Sequence, residues 1–455
     1  MTRRAGYRRA ARGAARVVLA AIVPAVAFNL LLAGLDQLVP LRRPPINLDY
    51  FLLGIVGGWL SAPMTAAAAF IIFAVDLVTA FLPGFHFSGS GALHALGDLP
   101  RLDLGVVLPV IAGILTAFAA THALTAWPVR AVRGRRALTV RSGHLAAIVV
   151  LVTCYAAGER AHWMLTSGLF ETARMRYGPV EDAPITPARA ASSTVTPSPA
   201  SAGHNILLVV VESWGASNDG RVLDRYAERL RTRAGERYTV TGGRVANFGK
   251  TVAAEMRELC GVRHVTVAPA LDRLDPATCL PERLNRAGYR TLAVHNFTSA
   301  MFRRRRLYEH LGFDRMVFRE TLRRRHPGAA MCGTLYDGVC DRSVLDVLPA
   351  HLRGNKQFVY WLTLTGHFPP PTARSRPAAC AMQPSAATTP RYCNYQFQVE
   401  RVLDRTARFL ATREKPWRAV LVGDHLPHAL SRAAEPLYDV RPDQSRGADD
   451  ENVHA

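Results

Sequence analysis

The chain has 455 residues, which is enough for more than one domain, and a formal net charge of +21. Such a charge can serve nucleic-acid binding, but here the cations cluster in short segments beside long apolar runs, as in the cytoplasmic loops of membrane proteins; we therefore exclude nucleic acid as a partner. Hydrophobic residues make up 49% of the chain and are concentrated in its first third, so a membrane-embedded part should precede a globular part.

Residues 1–164 are predicted to form a transmembrane domain. After an arginine-rich start, apolar blocks follow at about 15–35, 48–82, 104–127 and 144–161. The first block is long and has no convincing cleavage site, so we interpret it as a retained span and not as a signal peptide. Because a span needs about 20 residues, the second block can hold one long span or a hairpin that turns at Pro63.

The arginine-rich loop at 130–141 decides the number of spans. Both this loop and the N-terminus should lie in the cytoplasm, so an even number of spans must separate them. The second block then counts as a hairpin. We therefore predict about five spans, with the C-terminal two-thirds of the chain outside the cytoplasm.

Residues 165–203 are rich in Pro, Ser, Thr and Ala without a periodic pattern, which predicts a linker. Residues 204–455 are predicted to form an α/β domain. Its apolar strands are expected at Asn205–Val211, Tyr289–Val294, Gln357–Thr363 and Arg418–Val422, with helices at about 219–234, 280–287, 341–352 and 394–412. Strands that are apolar throughout are typical of a parallel sheet buried on both faces, so we expect a largely parallel central sheet.

Residues that can bind a metal or a phosphate follow these strands. They are Glu212, His295, His367, Asp424 and His425. A single acidic residue after a strand is more often a surface residue, and a single His is often structural, but open α/β sheets build their sites at the carboxyl ends of strands. We expect Glu212, Asp424 and His425 to form a site with N and O ligands, suited to one divalent ion, Zn²⁺ or Mn²⁺. His295 and His367 are then phosphate contacts or the proton donor to a leaving group.

The sequence Gly249-Lys250-Thr251 runs directly into helix-forming residues, which predicts Thr251 at a helix N-terminus. The free N–H groups and the helix dipole favour negative charge there. A Thr hydroxyl is a poor nucleophile unless a metal or a base activates it. We therefore expect the Thr251 oxygen to be the fourth ligand of the predicted metal and the attacking atom.

The segment from Asn205 to about His428 resembles the alkaline phosphatase/sulfatase superfamily, in the membrane-anchored branch of lipoteichoic acid synthases, periplasmic glucan phosphoglycerol transferases and phosphoethanolamine transferases. The matching motifs are Glu212-Ser213 after a strand, Gly249-Lys250-Thr251, His367-Phe368-Pro369 and Gly423-Asp424-His425. The resemblance implies an α-helical membrane domain followed by an α/β sulfatase-like domain. It also implies Thr251 as nucleophile and His367 as a catalytic residue.

A further motif of that branch is a His followed at fixed distances by Trp, Arg, Tyr and Gly-aromatic-Asp, and here it includes His295, Arg304 and Tyr308. Phe302 stands where that branch has Trp. The resemblance implies that His295, Phe302 and Arg304 contact the substrate. The other arginines of the run 303–306 are interpreted as a solvated helix surface.

The function that the resemblance implies is metal-dependent transfer of a phospholipid headgroup, phosphoglycerol or phosphoethanolamine, through a phospho-Thr intermediate. The donor is a membrane phospholipid and the acceptor an envelope glycan or lipid. The enzyme would be a multi-pass protein of the inner (cytoplasmic) membrane, with its catalytic domain facing the periplasm. The alternatives are a sulfatase or phosphodiesterase-type hydrolase, and a non-catalytic membrane sensor, which the intact ligand set argues against.

The cysteines predict disulfides outside the cytoplasm. Of the 7 cysteines, Cys154 lies in the fourth apolar block and the others in the outer domain. Sequence order suggests the pairs Cys260–Cys279, Cys332–Cys340 and Cys380–Cys393. A zinc cluster is the alternative, although paired Cys-x-x-Cys units are missing. Cys279 also fits Cys-x-Pro-x-Arg, the formylglycine signal of true sulfatases, but with Glu282 in place of the usual small residue.

Overall fold

The structure is a computed structural model that divides into two compact units, residues 1–92 with 107–178, and residues 93–106 with 179–455. It describes residues 2–38, 46–84, 103–132, 144–146, 148–150, 152–153, 165–166, 185–195, 203–246, 251–263, 273–333, 335–352, 354–383, 389–415, 417–428, 434 and 437–438. Cys154, Gly249-Lys250 and much of the predicted linker lie outside the described residues. The predicted domain bounds of 1–164, 165–203 and 204–455 stay a prediction.

The first unit is mainly helical. Its described elements are α1 (Thr2–Leu38), β1 (Ile46–Asn47), α2 (Asp49–Val56), α3 (Ala62–Gly84), most of α4 (Leu104–Val132) and β2 (Leu165–Thr166). Three described helices contain a stretch long and apolar enough to cross a membrane, namely Ala11–Asp36, Ala62–Ala80 and Val107–Ala126. The expectation of apolar membrane-type helices is therefore supported.

The count of five spans is not confirmed. Helix α2 has 8 residues, whereas a span needs about 20, so the first arm of the predicted hairpin is not among the candidate spans. Most of the fourth apolar block, 144–161, lies outside the described residues. The number of spans stays a prediction.

Helices α1 and α2 pack closely at a glycine. A Cβ added at Gly54 would lie 1.9 Å from the Ala20 carbonyl oxygen, so no larger residue fits. The ring of Phe28 stacks on that of Tyr50, with 4.9 Å between the ring centroids. The short helix α2 is thus anchored against a long one by backbone proximity and by an aromatic pair.

The second unit is an α/β domain. Its described helices are α5 (Gly220–Ala234), α6 (Thr251–Cys260), α7 (Leu280–Arg286), α8 (Arg304–His310), α9 (Arg319–Arg325), α10 (Asp341–Val347), α11 (Ala378–Met382) and α12 (Pro390–Ala411). Its described strands are β3 (Thr186–Pro187), β4 (Asn205–Val211), β5 (Val262–Arg263), β6 (Arg290–His295), β7 (Arg315–Val317), β8 (Met331–Cys332), β9 (Gly338–Val339), β10 (Gln357–Leu362) and β11 (Trp417–Gly423).

The central sheet has 5 strands in the order β11-β4-β10-β6-β7, and every pairing is parallel. Along β4, alternate side chains enter two different cores: Ile206 packs in one and Leu207 in the other. Both faces of the strand are therefore buried, as its continuous apolar sequence predicted. The prediction of a largely parallel α/β sheet is confirmed, whereas the three-residue edge strand β7 was too short to be found in the sequence.

Three disulfides join described cysteines, and they are the three pairs that sequence order suggested. They are Cys260–Cys279, Cys332–Cys340 and Cys380–Cys393. The first joins the end of α6 to the residue before α7, and it leaves Cys279 without a free thiol to oxidise. The formylglycine interpretation and the zinc-cluster alternative are therefore both wrong for this structure.

Replacing Cys260 and Cys279 together by Ser should lower the free energy of unfolding by about 3 kcal/mol, because the bond closes a loop of 19 residues. The measurement is denaturant unfolding of full-length protein in detergent, followed by Trp fluorescence. Dithiothreitol should bring the wild type to a similar or lower stability and serves as the control. Equal stability of wild type and double variant, or free Cys260 in non-reducing peptide maps, would contradict the bond.

Candidate active site

The carboxyl ends of the parallel strands place acidic and imidazole groups along one edge of the sheet. In the register of β11 against β4, Gly423 pairs with Val211. The next residues, Asp424 and Glu212, are consequently neighbours, and the Asp424 N–H donates to the Val211 carbonyl at 3.2 Å. The strand pairing itself therefore brings together two carboxylates that are distant in sequence.

The side chains converge on one point. His425 Nε2 lies 3.3 Å from Glu212 Oε1 and 3.2 Å from Asp424 Oδ2. The same nitrogen lies 3.2 Å from Thr251 Oγ1. Thr251 is the first residue of α6, so the prediction that it begins a helix is confirmed. The structure thus brings together the four residues that the sequence proposed as metal ligands.

The backbone around the carboxylates is tightly constrained. Ser213 has a φ of 58°, a left-handed conformation that is unfavourable for a residue other than glycine. Its N–H donates to Asp424 Oδ1 at 2.8 Å, and the Glu212 N–H donates to Thr363 Oγ1 at 2.8 Å. A Cβ at Gly423 would lie 1.8 Å from the Trp214 carbonyl oxygen. The strand ends can approach this closely only with glycine at 423, which fixes the carboxylates in place.

The donor set fits a divalent cation. Glu212, Asp424 and His425 are 4%, 1% and 3% exposed, and their ligand atoms all lie within 4.8 Å of one another. Asp424 Oδ1 accepts from two backbone N–H groups, whereas the buried Oδ2 has no hydrogen-bond partner among the described residues. A buried carboxylate oxygen in that position is costly unless a cation or a donor satisfies it.

The charges of the site shift the pKa values of its members. Burial raises the pKa of Asp424, and the nearby Glu212 carboxylate raises it further. Burial would also raise the pKa of Glu212, but the facing His367 and His425 outweigh this effect and lower it. Burial opposes the protonation of His425, yet Asp424 and Glu212 together raise its pKa to about 9. The pKa of one carboxyl is raised while that of the other is lowered. This is expected where two buried carboxylates lie close together with too few cationic groups to neutralise both.

A second set of ligand atoms shares Glu212: the ring nitrogens of His367 and His428 lie within the same 4.8 Å limit of it. The His367 ring contacts that of Tyr336 in a tilted arrangement, with 3.8 Å between the ring centroids and 46° between the ring planes. His428 lies 4.3 Å from the His425 ring, centroid to centroid. Sequence reasoning missed Tyr336 and His428, although the spacing of three residues after His425 was a signal for the latter.

His295 and Arg304 lie beside this site and contact one another. His295 Nδ1 is 3.2 Å from the Leu362 carbonyl oxygen, so Nδ1 carries the proton and Nε2 is the acceptor. Arg304 Nη1 donates to that Nε2 at 3.4 Å. Burial, and after it the Arg304 charge, lowers the pKa of His295 well below its usual value, which keeps the ring neutral. His295 therefore orients the guanidinium of Arg304.

Arg304 is buried, because Glu255 lies opposite it. Arg304 Nε is 3.1 Å from Glu255 Oε2, and the hydroxyls of Tyr308 and Tyr360 donate to Glu255 Oε1 at 2.5 and 3.1 Å. The Phe302 ring lies 5.1 Å from the Arg304 Cζ atom, within cation–π distance. Sequence reasoning missed Glu255, although it follows Thr251 by four residues, one helical turn.

A buried arginine of α6 links this helix to the end of β11. Arg257 is 1% exposed, and its Nε lies 2.6 Å from Glu258 Oε1. Its Nη2 donates to the Gly423 carbonyl at 2.9 Å and its Nη1 to that of Ala246 at 2.6 Å. This link fixes the helix that starts with Thr251 relative to the residues just before Asp424. Nothing in the sequence distinguished Arg257 from a surface arginine.

A family model described as Sulfatase matches residues 204–447 of the chain. No curated protein matches the chain significantly. One similar solved structure is that of the integral membrane protein lipooligosaccharide phosphoethanolamine transferase A from Neisseria meningitidis. The identity is 17% and the TM-score is 0.47, and the alignment covers 92% of this chain and 84% of that chain.

Two further solved structures are similar to this chain. For the Streptococcus pyogenes phosphoglycerol transferase GacH, the identity is 16%, the coverage is 56% of this chain and 67% of that chain, and the TM-score is 0.39. For the lipoteichoic acid synthase LtaP of Listeria monocytogenes, the identity is 15% and the TM-score is 0.36. The alignment covers 50% of this chain and 57% of that chain.

Metal content should depend on the buried carboxylates. We expect Glu212→Gln and Asp424→Asn each to reduce the divalent metal bound to purified full-length protein, because each removes an anionic ligand from a buried site. Glu414→Gln alters an exposed carboxylate and is the matched control. The measurement is inductively coupled plasma mass spectrometry, and unchanged metal in both site variants would place the metal elsewhere.

The pKa shifts of the site predict how metal affinity depends on pH. A group with a raised pKa in the metal-free site holds its proton to higher pH, and that proton must leave before a metal binds. Because the pKa values of Asp424 and His425 are both raised, the latter to about 9, the metal affinity should increase as the pH rises from 6 to 9. Titration calorimetry with Mn²⁺ measures it, and an affinity independent of pH would contradict the pKa shifts.

Proposed function

This chain belongs to the sulfatase family, and on that premise we propose that it is a membrane-embedded, metal-dependent phosphotransferase. It transfers a phospholipid headgroup, phosphoglycerol or phosphoethanolamine, to an envelope glycan or lipid. The observation that carries the proposal is the Thr251 hydroxyl, at the start of a helix and 3.2 Å from His425 Nε2. A hydroxyl held in that position beside two buried carboxylates has the surroundings of a nucleophile.

The reaction has two displacements at phosphorus. In the first, a bond forms between Thr251 Oγ1 and the headgroup phosphorus as the bond from phosphorus to the diacylglycerol oxygen breaks, and the hydroxyl proton leaves to water. In the second, a bond forms between the acceptor oxygen and phosphorus as the bond from phosphorus to Thr251 Oγ1 breaks. His367, deprotonated in the first step, takes the acceptor's proton, and Thr251 Oγ1 regains a proton from water. One divalent ion, Mn²⁺ or Zn²⁺, held by Glu212, Thr251, Asp424 and His425, would lower the pKa of the hydroxyl and polarise a phosphoryl oxygen.

His367 is proposed to protonate the diacylglycerol oxygen as it leaves. The Phe368 carbonyl lies 3.1 Å from His367 Nδ1, which places the proton on that nitrogen and leaves Nε2 to exchange protons with the substrate. Burial lowers the pKa of His367, although the Glu212 charge opposes this. A bound phosphate would add a second negative charge and raise the pKa towards the value that a general acid needs.

Arg304 is proposed to bind the phosphate, with His295 and Phe302 orienting it. Its Nε is engaged by Glu255 and its Nη1 faces His295. The guanidinium is thus held from both sides, so little side-chain entropy remains to be lost when a substrate binds. This arrangement gives Phe302 a packing role against the guanidinium.

Two alternatives belong to other classes, namely a hydrolase of the phosphodiesterase or sulfatase type and a non-catalytic sensor. A phosphodiesterase would use the same Thr251 and release the headgroup to water, so only the acceptor distinguishes it. A formylglycine sulfatase is disfavoured, because Cys279 is bonded to Cys260. A non-catalytic sensor is disfavoured by the convergence of Thr251, Glu212, Asp424 and His425 on one point.

The proposed location is the inner (cytoplasmic) membrane, with about five spans and the catalytic domain in the periplasm. The support is the arginine-rich loop at 130–141, the apolar helices and the disulfides of the α/β domain, which form in oxidising compartments.

Thr251→Ala should abolish headgroup transfer and retain bound metal at lower affinity, because it removes the attacking oxygen and one of four ligands. Thr251→Ser, which keeps the oxygen, should retain activity. His367→Ala should lower the rate by about 10²–10⁴-fold, the usual contribution of a general acid. The assay is diacylglycerol release from labelled phosphatidylglycerol and phosphatidylethanolamine.

The control for this series is Thr232→Ala, which alters an exposed helical threonine and should leave the rate unchanged. Mass spectrometry of the wild type incubated with each lipid should show added mass on Thr251, and that mass identifies the headgroup. Diacylglycerol release by Thr251→Ala at the wild-type rate would overturn the mechanism.

The orientation can be tested with reporter fusions. An alkaline phosphatase fused after Gly203 should be active, because the chain there lies in the periplasm, and one fused at Gly134 should be inactive. A cytoplasmic reporter at the same positions should give the opposite pattern. Activity of the same reporter at both positions would contradict the five-span topology.

A further inference from the structure

A cavity of about 240 Å³ lies in the α/β domain between α10, the segment 365–374 and α12. Its floor includes the buried Asp341, and its walls include the disulfide cysteines Cys332 and Cys340. Of the described residues that line it, none belongs to the proposed metal site. The cavity is therefore a separate site, although its lining residue Thr365 is only two positions from His367.

The cavity is lined by four arginines and one carboxylate. The arginines are Arg342, Arg374, Arg401 and Arg405. Arg405 pairs with Asp346 at 3.3 Å, whereas the other three form no ion pair with any described residue. The lining carboxylate, Asp341, is already engaged: it accepts hydrogen bonds from Asn296 Nδ2 and from the N–H groups of Leu364 and Thr365, at 2.7 to 2.9 Å.

The arginines repel one another in a partly buried space. Burial lowers the pKa of Arg401, and Arg342, Arg405 and Arg374 lower it further. The Arg401 guanidinium carbon lies 5.5 Å from the centroid of the Phe397 ring, which holds the group in position by a cation–π contact. Like charges fixed this close together are unfavourable unless an anion lies between them.

We propose that this cavity is a second anion site, which binds the phosphate group of a phosphate ester. A phosphate monoester carries a charge of about −1.5 to −2 and three strong acceptor oxygens, which matches several guanidinium groups better than a single carboxylate does. Arginine binds phosphate by paired N–H donors. The volume is below the roughly 300–1,000 Å³ of pockets for drug-sized ligands, so it suits one small charged group.

This assignment does not rest on the proposed transferase activity. It rests on four arginines that line one cavity, three of them without an ion pair among the described residues, and on Asp341, whose single charge is too small to balance them. A phosphorylated sugar carries a phosphate monoester and a phospholipid headgroup a singly charged diester. Both present an anionic phosphate to the arginines, so the experiment must separate these two sources.

The test is titration calorimetry of full-length protein in detergent with glucose 6-phosphate. The protein is first treated with EDTA, which removes metal from the catalytic site and with it the main competing phosphate site. The wild type should bind. Arg401→Gln and Arg342→Gln should each weaken binding by about tenfold or more, because hydrogen bonds to charged groups contribute about 1.5–3 kcal/mol. Arg401→Lys, which keeps the charge but loses the paired donors, should bind with intermediate affinity.

Arg408→Gln alters an exposed arginine of the same helix α12 that does not line the cavity, and it should bind like the wild type. Thermal unfolding of each variant shows whether it is folded. A folded Arg401→Gln and a folded Arg342→Gln that both bind like the wild type, or a wild type that does not bind, would overturn the proposal. An equal loss of glucose 6-phosphate binding in Arg408→Gln would also overturn the proposal.

A second experiment distinguishes a soluble phosphate ester from a phospholipid headgroup as the ligand. The titration is repeated with protein in nanodiscs of phosphatidylcholine with or without phosphatidylglycerol. If the lipid headgroup occupies the cavity, phosphatidylglycerol should weaken glucose 6-phosphate binding to the wild type but not the residual binding to Arg401→Gln. Equal affinity in the two nanodiscs would assign the site to soluble phosphate esters.

Discussion

The burial of two neighbouring carboxylates is the constraint on which the rest of this site depends. Glu212 and Asp424 lie at the ends of adjacent strands, almost without contact with water. Desolvation opposes both ionised forms. The imidazoles of His367 and His425 outweigh this effect for Glu212, whereas the pKa of Asp424 stays raised because the Glu212 charge adds to its burial. The strained Ser213 backbone and the close approach at Gly423 are tolerated because they hold this anionic pair in position. A divalent cation would stabilise this pair most directly.

Helix α6 connects this anionic centre to its surroundings. Thr251 begins the helix at the centre, and Glu255, one turn later, holds Arg304. Arg257 then reaches the Gly423 carbonyl, and the helix ends at Cys260 in a disulfide. Successive turns of one helix therefore position the proposed nucleophile Thr251, the proposed phosphate ligand Arg304 and the strand that leads to Asp424. A shift of this helix would disturb all three at once.

The sequence was informative where a local pattern determines a tertiary position. Apolar strands followed by Glu212 and by Asp424-His425 identified one sheet edge, because parallel strands end on the same side. It was uninformative where burial depends on a distant partner. Arg304 belongs to a run of arginines typical of a solvated surface, and only Glu255 explains its burial. The four arginines of the cavity come from three separate segments, so neighbouring residues give no signal of it.

The pairing of β4 with β11 also determines at what stage of folding the two carboxylates come together. The Ser213 N–H and the Asp424 carboxylate that it contacts are 211 residues apart in sequence, and β11 occupies an edge of the sheet. During synthesis, the first carboxylate would emerge long before the second. Glu212 alone would offer a cation one carboxylate, so binding of a divalent ion at the proposed site would require β11 to be paired with β4. The order of the strands would thus couple metal binding to completion of the fold.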